Sequence, residues 1–247
     1  MSTIDRRRRL GPANVIPLTF STTTDKESDY LQTQKLFIKL SNIPTAAGSS
    51  FIQSGNNLLS SSVYGPRPSF KRTFNSKAAV KITFQASPFL STVNSLNKTT
   101  EVELPYQITE STILSTLETA CSNLILLDKY PKSTIDIFVN LINTDHQTKF
   151  IDLLSLIHNS VNMALINSGI ALKNFPTAFV YESSIFINSI HSSVYNEDPE
   201  TDLQNEELLA LYIPNSASAE LNKSLDSAVR QLRQLRAELN QFCLASL

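Results

Sequence analysis

Two stretches of this chain concentrate residue types that do chemistry. The first is VYGPRPSFKR, Val63–Arg72, where Arg67, Lys71 and Arg72 cluster with Phe70 and Phe74 after a Gly65-Pro66 turn signal. Cations attract a phosphate backbone and aromatic rings stack on bases, so the mixture suits single-stranded nucleic acid. A basic surface loop is the alternative reading of the same residues. The second is YPKSTIDIFVNLINTD, Tyr130–Asp145, which carries Asp136 near the start of a strand pattern. Asp136 alternates away from Ile135 and Ile137. One carboxylate alone does not perform two-group acid–base work, and no partner for it is identifiable along the chain.

Other chemistries find little support. No GxSxG elbow is present, nor GxxxxGK[ST], nor GxGxxG, and glycine is rare at 5 of 247 residues. Cys121 and Cys243 make no disulfide framework, and His146, His158 and His191 lack zinc-ligand spacing with them. His158 sits in the most apolar helical stretch, which favours a hydrogen-bonded core or interface residue over a ligand. No metal site and no cofactor are expected. A reducing compartment is the default reading of two cysteines.

The totals bound the rest. A hydrophobic fraction of 41%, a charged fraction of 17% and a net charge of −1 describe a globular chain without a global basic field, so any nucleic-acid contact must be local. No run reaches the roughly 18–20 apolar residues of a membrane span, and no membrane partner is expected. The start, MSTIDRRRRLGP, is basic but lacks the apolar stretch of a secretory signal. Arg6–Arg9 read as an import or RNA-contact patch, or as a solvated basic arm. The apolar excess without strong charge predicts that the isolated chain needs a partner.

These residues need elements to hold them. Residues 1–30 read as a basic, polar arm and 31–247 as one domain. LFIKL from Leu36 is strand-like, and SSFIQSGNNLLSSSVYG reads as a hairpin around SGNN, with its second strand ending at Tyr64. Val80, Ile82 and Phe84 alternate with Lys81 and Thr83. A helix is predicted from about Thr109 to Leu127, with Pro131 ending it. In the strand after it, Ile135, Ile137, Val139 and Leu141 form one face. A second helix, about Lys149–Ser168, is apolar on most sides and must be sandwiched, with Gly169 as its stop. Strands follow at Thr177–Tyr181, Ile185–Ile190 and Leu208–Ile213, with an acidic solvated turn over Tyr195–Glu207. The last helix, about Ser218–Phe242, repeats Leu221, Leu225, Ala228, Leu232, Leu235, Leu239 and Phe242 in heptad spacing. It is an amphipathic helix on its own sheet or a coiled-coil strand, with Arg230, Arg233 and Arg236 facing water or a neighbour. The order predicts an α+β fold, mixed sheets with packed helices.

Four stretches in order carry a family resemblance: DRRRRLGP, SSSVYGPRP, YPKSTIDIFVNLINTD and HNSVNMALINSGIAL. Together they resemble the RNase PH family of phosphorolytic 3′→5′ exoribonucleases, over nearly the whole chain. The resemblance implies an RNase PH-like α+β domain that assembles into six-membered rings around an RNA channel. It also places Arg67, Lys71 and Arg72 on a channel-facing loop as RNA-binding residues.

Active members of that family hold the attacking phosphate with an arginine pair at the start of the helix before YPKS. Counting back, those positions hold Ile108 and Thr109, and the helix contains no arginine. In-line attack by phosphate needs concentrated positive charge. Of the two aspartates near the family's metal, Asp198 matches the second by counting from YNED, while Ser192 stands at the first. The resemblance therefore implies no catalytic residues and a non-catalytic ring subunit of the eukaryotic RNA exosome. Its expected partners are other RNase PH-like ring subunits in a hetero-hexamer, RNA-binding cap subunits, a hydrolytic nuclease subunit and single-stranded RNA. Its expected location is the nucleus, including the nucleolus, and the cytoplasm. An active phosphorolytic exoribonuclease is the alternative.

Overall fold

Alternation of apolar and polar residues from Leu36 onward builds a five-stranded sheet. The structure is a computed structural model that describes residues 36–69, 76–87, 106–144, 150–181, 185–191, 206–212 and 221–246. These lie within one unit, Gln34–Leu247. The arm at 1–30 with Arg6–Arg9, and the acidic residues 195–205, lie outside the described residues.

The first sheet takes β1 (Leu36–Leu40), β2 (Gly48–Ser54), β3 (Asn57–Pro68) and β4 (Ala79–Ala86). Helix α1 (Tyr106–Leu124) then crosses over to β5 (Ser133–Asn143), which enters between β3 and β4. The order is β1-β2-β3-β5-β4, antiparallel except for the parallel β4/β5 pair. The SGNN hairpin is present: Ser54 pairs with Asn57 around Gly55, whose φ of +58° costs a glycine nothing. Ile135, Ile137, Val139 and Leu141 are buried on one face of β5, as their alternation predicts.

Helix α2 (Phe150–Asn167) lies between that sheet and a second one, formed by β6 (Pro176–Tyr181), β7 (Ile185–His191) and β8 (Glu206–Tyr212). Every residue from Leu156 to Leu165 is buried, as a sandwiched helix requires. Gly169 ends the segment at φ +67°. Toward the first sheet α2 presents Ser160, whose backbone oxygen accepts from Ser50 Oγ at 2.7 Å and whose hydroxyl meets Ser61 Oγ at 2.7 Å. Gly48 lets β2 press against this helix, because a Cβ there would stand 2.4 Å from the Ala164 oxygen and the Ser168 nitrogen.

Toward the second sheet α2 presents Asn159. Its side chain donates to the Ala178 oxygen at 2.8 Å and accepts from the Ala178 nitrogen at 2.9 Å. One amide thus stands in for a neighbouring strand on β6 and satisfies two buried backbone groups. His158 serves the same docking. Asn188 Nδ2 donates to its Nδ1 at 3.1 Å, Nε2 faces Thr116 Oγ1 of α1 at 3.4 Å, and its ring lies 4.7 Å from that of Phe186. Thr116 spends its own proton on the Thr112 and Ile113 carbonyls, so it accepts from Nε2–H. The imidazole is a neutral core residue, and burial pushes its pKa down to about 3.

Several elements differ from the sequence expectation. Helix α1 stops at Leu124, short of Leu127, and Pro131 is not its terminator. The chain there pairs with the segment after α2: the Leu124 oxygen accepts from Lys173 N, and Leu126 N donates to the Ala171 oxygen, both at 3.0 Å. Glu206 and Glu207, read as part of an acidic turn, begin β8, because their backbone pairs with His191 and Ile190. Helix α3 (Leu221–Ser246) packs on its own second sheet through Ala228 and Leu232 against Ile187, Phe179 and Tyr181. Arg236 on it turns inward, contrary to the reading that it faces water or a neighbour. Its Nη2 donates to the Ser189 oxygen at 3.1 Å and to Ser189 Oγ at 2.9 Å. Arg230 is exposed.

Two outcomes test this docking. Gly48→Ala is expected to destabilise the chain by about 3 kcal/mol, because both clashing groups are backbone, of α2 and of the residue after it, and neither yields cheaply; thermal unfolding checks it. A depressed histidine pKa gives stability that is complete above the unfolded value of 6.5 and is lost as pH falls toward about 3. In that window the unfolded chain takes the proton and the folded chain refuses it. The expected slope from one such proton is at most about 1.4 kcal/mol per pH unit. His158→Gln is expected to flatten denaturant-derived stability by that amount between pH 6 and 4, roughly the steep part of the window.

Candidate nucleic-acid interface

The arginine of YGPRP reaches its place through a bulge. Sequence reading ends the strand at Tyr64 and turns the chain at Gly65-Pro66, but β3 continues to Pro68. Its ladder with β5 runs Tyr64↔Asp136 and then Arg67↔Thr134, so three steps on β3 answer two on β5. In a regular strand residues three apart point to opposite faces; the extra residue returns Arg67 to the face of Tyr64. Gly65 makes this close approach at φ +130°, where a Cβ would meet the Thr134 oxygen at 2.8 Å. Arg67 is therefore a strand residue rather than a loop residue.

The outcome is a small cationic and aromatic cluster on the face of the first sheet turned away from α2. The Arg67 guanidinium carbon lies 5.0 Å from the centroid of the Tyr64 ring, a cation–π distance. Tyr64 meets Phe138 of β5 edge-on, with centroids 5.6 Å apart and planes at 81°. Phe138 is 37% exposed, and Arg67 is exposed. Lys81 of β4 pairs in register with Asp136, which sits beside Tyr64. Lys71 and Arg72, and Phe70 and Phe74 with them, lie outside the described residues, so of the three predicted cations the structure places Arg67.

Sequence reading missed Tyr64 and Phe138 as members of this cluster. The signal was available for Phe138: the alternation that buries Ile137 and Val139 leaves an aromatic on the polar face. Nothing along the chain announces that a bulge would bring Arg67 over Tyr64.

The YPKS segment that leads into β5 acts as a latch beside this cluster. Lys132 takes φ +56°, Ser133 Oγ donates back to the Tyr130 oxygen at 2.6 Å, and the Tyr130 hydroxyl accepts from Ala171 N at 3.1 Å. Ser69 N donates to the Lys132 oxygen at 2.9 Å, which ties the end of β3 to the turn. Asp136 is half-buried within the sheet. It has a basic residue and a phenol as its strand neighbours, and no second carboxylate sits in register with it.

Other candidate chemistry is dispersed. Ile108 and Thr109 fall in the first turn of α1. Ser192 and Asp198 lie outside the described residues. Among the described residues no three His, Cys, Asp or Glu side chains converge as metal ligands would. Neither cysteine forms a disulfide and both are buried, and burial pushes the Cys121 thiol up to about 12, far from a nucleophile's range. Among the described residues no helix is long and apolar enough to cross a membrane.

Residues 32–171 match the family model described as the 3′ exoribonuclease family, domain 1. Exosome complex component mtr3 of Schizosaccharomyces pombe is 32% identical over 145 residues, covering 57% of this chain and 54% of that protein. Exosome complex component Rrp41 of Pyrobaculum arsenaticum is 25% identical over 145 residues, covering 58% and 54%. The chain thus aligns with about half the length of these relatives. Among solved structures, rice (Oryza sativa) Rrp46 superimposes with a TM-score of 0.57 at 16% identity, over 85% of this chain and 92% of that one. A chain of the Archaeoglobus fulgidus exosome with RNA bound to the active site gives 0.52 at 13% identity, over 83% and 88%. At these identities the structural likeness establishes a shared fold.

Proposed function

The chain belongs to the RNase PH 3′ exoribonuclease family, and from that premise we propose that it is a non-catalytic subunit of an exosome ring. On this reading it resembles the ring subunit named for mRNA transport. It supports assembly of a hetero-hexamer of RNase PH-like subunits and guides single-stranded RNA through the central channel. RNA-binding cap subunits and a hydrolytic nuclease subunit are its further partners, and the nucleus, nucleolus and cytoplasm its location. The likeness to the Schizosaccharomyces pombe exosome component supports the assembly.

One observation carries the non-catalytic part. The first turn of α1 holds Ile108 and Thr109 where the family resemblance expects two arginines, and α1 has no arginine anywhere along its length. Inorganic phosphate carries about two negative charges near neutral pH, and binding it for in-line attack requires cations or an array of amide donors. The helix start offers backbone amides, but the side chains of an isoleucine and a threonine add no positive charge. The RNA-guiding part rests on Arg67, held over Tyr64 and exposed, with Lys71 and Arg72 following in the sequence.

The second reading is an active phosphorolytic exoribonuclease, alone or completed by a neighbouring subunit. It draws on the likeness to an archaeal exosome with RNA bound to its active site. Phosphorolysis separates the two. Purified chain, alone and with its ring neighbour, is mixed with phosphate and RNA, and released nucleoside diphosphates are measured. None is expected. Release that disappears with Asp198→Ala would establish the second reading. For the RNA-guiding role, Ala at Arg67, Lys71 and Arg72 together is expected to reduce crosslinking of RNA to the assembled ring; unchanged crosslinking would remove that role.

A further inference from the structure

We propose that Phe138 and the Arg67–Tyr64 stack form a base-stacking site for single-stranded RNA on the outer face of the first sheet. The proposal deepens the RNA-guiding reading above and rests on it.

The outer face has a composition that sheet burial does not explain. Alternation on β5 sends Ile135, Ile137, Val139 and Leu141 to the core, and leaves Thr134, Asp136, Phe138, Asn140 and Ile142 opposite. Phe138 pairs in register with Ser62 on one side and Thr83 on the other. Ser62 is too short to cover the ring, and Tyr64 touches it only edge-on. The Phe138 ring is therefore left 37% exposed, close to a guanidinium whose carbon lies 5.0 Å from the Tyr64 centroid. Aromatic faces and guanidinium planes are the two surfaces on which unpaired RNA bases stack.

Charge places RNA ahead of a protein partner at this corner. Arg67 and Lys81 are exposed cations at its two sides, and Lys81 lies two strands from Tyr64, about 10 Å away at ordinary strand spacing. Among the described residues paired with this corner the one acid is Asp136, which is half-buried. Arginine and aromatic residues suit a protein interface as well, but lysine is depleted there, so Lys81 is the discriminating group: a strand of RNA sets phosphates beside its stacked bases and needs cations at that spacing. The bulge at Gly65-Pro66 gives the site rigidity, since Arg67 reaches the stack through paired backbone and not through a free loop.

The test titrates the full chain with a fluorescent single-stranded RNA decamer of cytidines and with a matching oligomer lacking bases. Phe138→Leu keeps apolar bulk at an exposed position but removes the ring face. It is expected to weaken decamer binding about tenfold and to leave binding of the abasic oligomer unchanged. Arg67→Lys keeps the charge and loses the plane, and is expected to behave likewise. Lys81→Ala is expected to lower the salt slope by about 0.7, one phosphate's worth on a single strand. Equal losses on both oligomers, or no loss with either ring-plane variant, would overturn the site. The mass of the native complex, measured for the same variants, separates this from the ring reading. A complex that shrinks with Phe138→Leu at unchanged RNA affinity assigns the face to a protein neighbour and overturns the site while the ring stands. A chain that never enters a complex, yet shows the base-dependent loss, keeps the site and sinks the ring.

Discussion

The structure depends on one helix being shared by two sheets. Helix α2 has no solvent face over Leu156–Leu165, so each of its sides must find a partner. Apolar contact alone does not settle how deep or at what angle such a helix sits, because hydrophobic attraction has no direction. Polar groups supply the direction. Ser160 seats it against β2 and β3, Asn159 against the backbone of β6, and His158 joins it to α1 and β7. Gly48 sets the closest approach. Each of these groups would be costly if left unpaired in the core, so a misdocked helix is penalised several times over.

The first sheet inherits its order from the same arrangement. With its inner face occupied by α2, the strands divide their residues cleanly, and whatever chemistry the sheet offers lies on its outer face or at its ends. The Gly65-Pro66 bulge shows how little is needed to make a site there. One extra residue on β3 brings a cation back over an aromatic ring that regular pairing would have put on the other side. The YPKS latch holds the neighbouring end of β5 by hydrogen bonds to Tyr130 and to Ser69, so the corner is fixed from both strands.

The proposed division between fold and reaction follows from where each resides. The features that define the architecture are buried, mutually dependent and spread over the chain. The features a phosphate site would need are a few charged side chains at a helix start, which can change without disturbing a packed interior. A ring subunit that guides RNA needs the first set and a positively charged, aromatic surface, and does not need the second.

Much of this was legible along the chain. Strand periodicity, the SGNN hairpin, the alternation in β5, the mostly apolar α2 with its Gly169 stop, and the amphipathic α3 are local patterns, and local patterns report which face of an element is apolar. The order of four motifs carried the family. What the sequence did not contain was the pairing of groups far apart in it. The end of α1 was misplaced because carbonyls at Leu124 are satisfied by Lys173, about fifty positions on. Arg236 was read as facing outward because Ser189, its acceptor, lies on another element. His158 could be called a core residue from its neighbours, but its partners Asn188 and Thr116 come from two different elements. Arg67 was recognised by type, and its place over Tyr64 beside the exposed Phe138 emerged only when β3 met β5 with one residue to spare. Side-chain type and period are properties of a segment; who donates to whom is a property of register, and register exists only in the folded sheet.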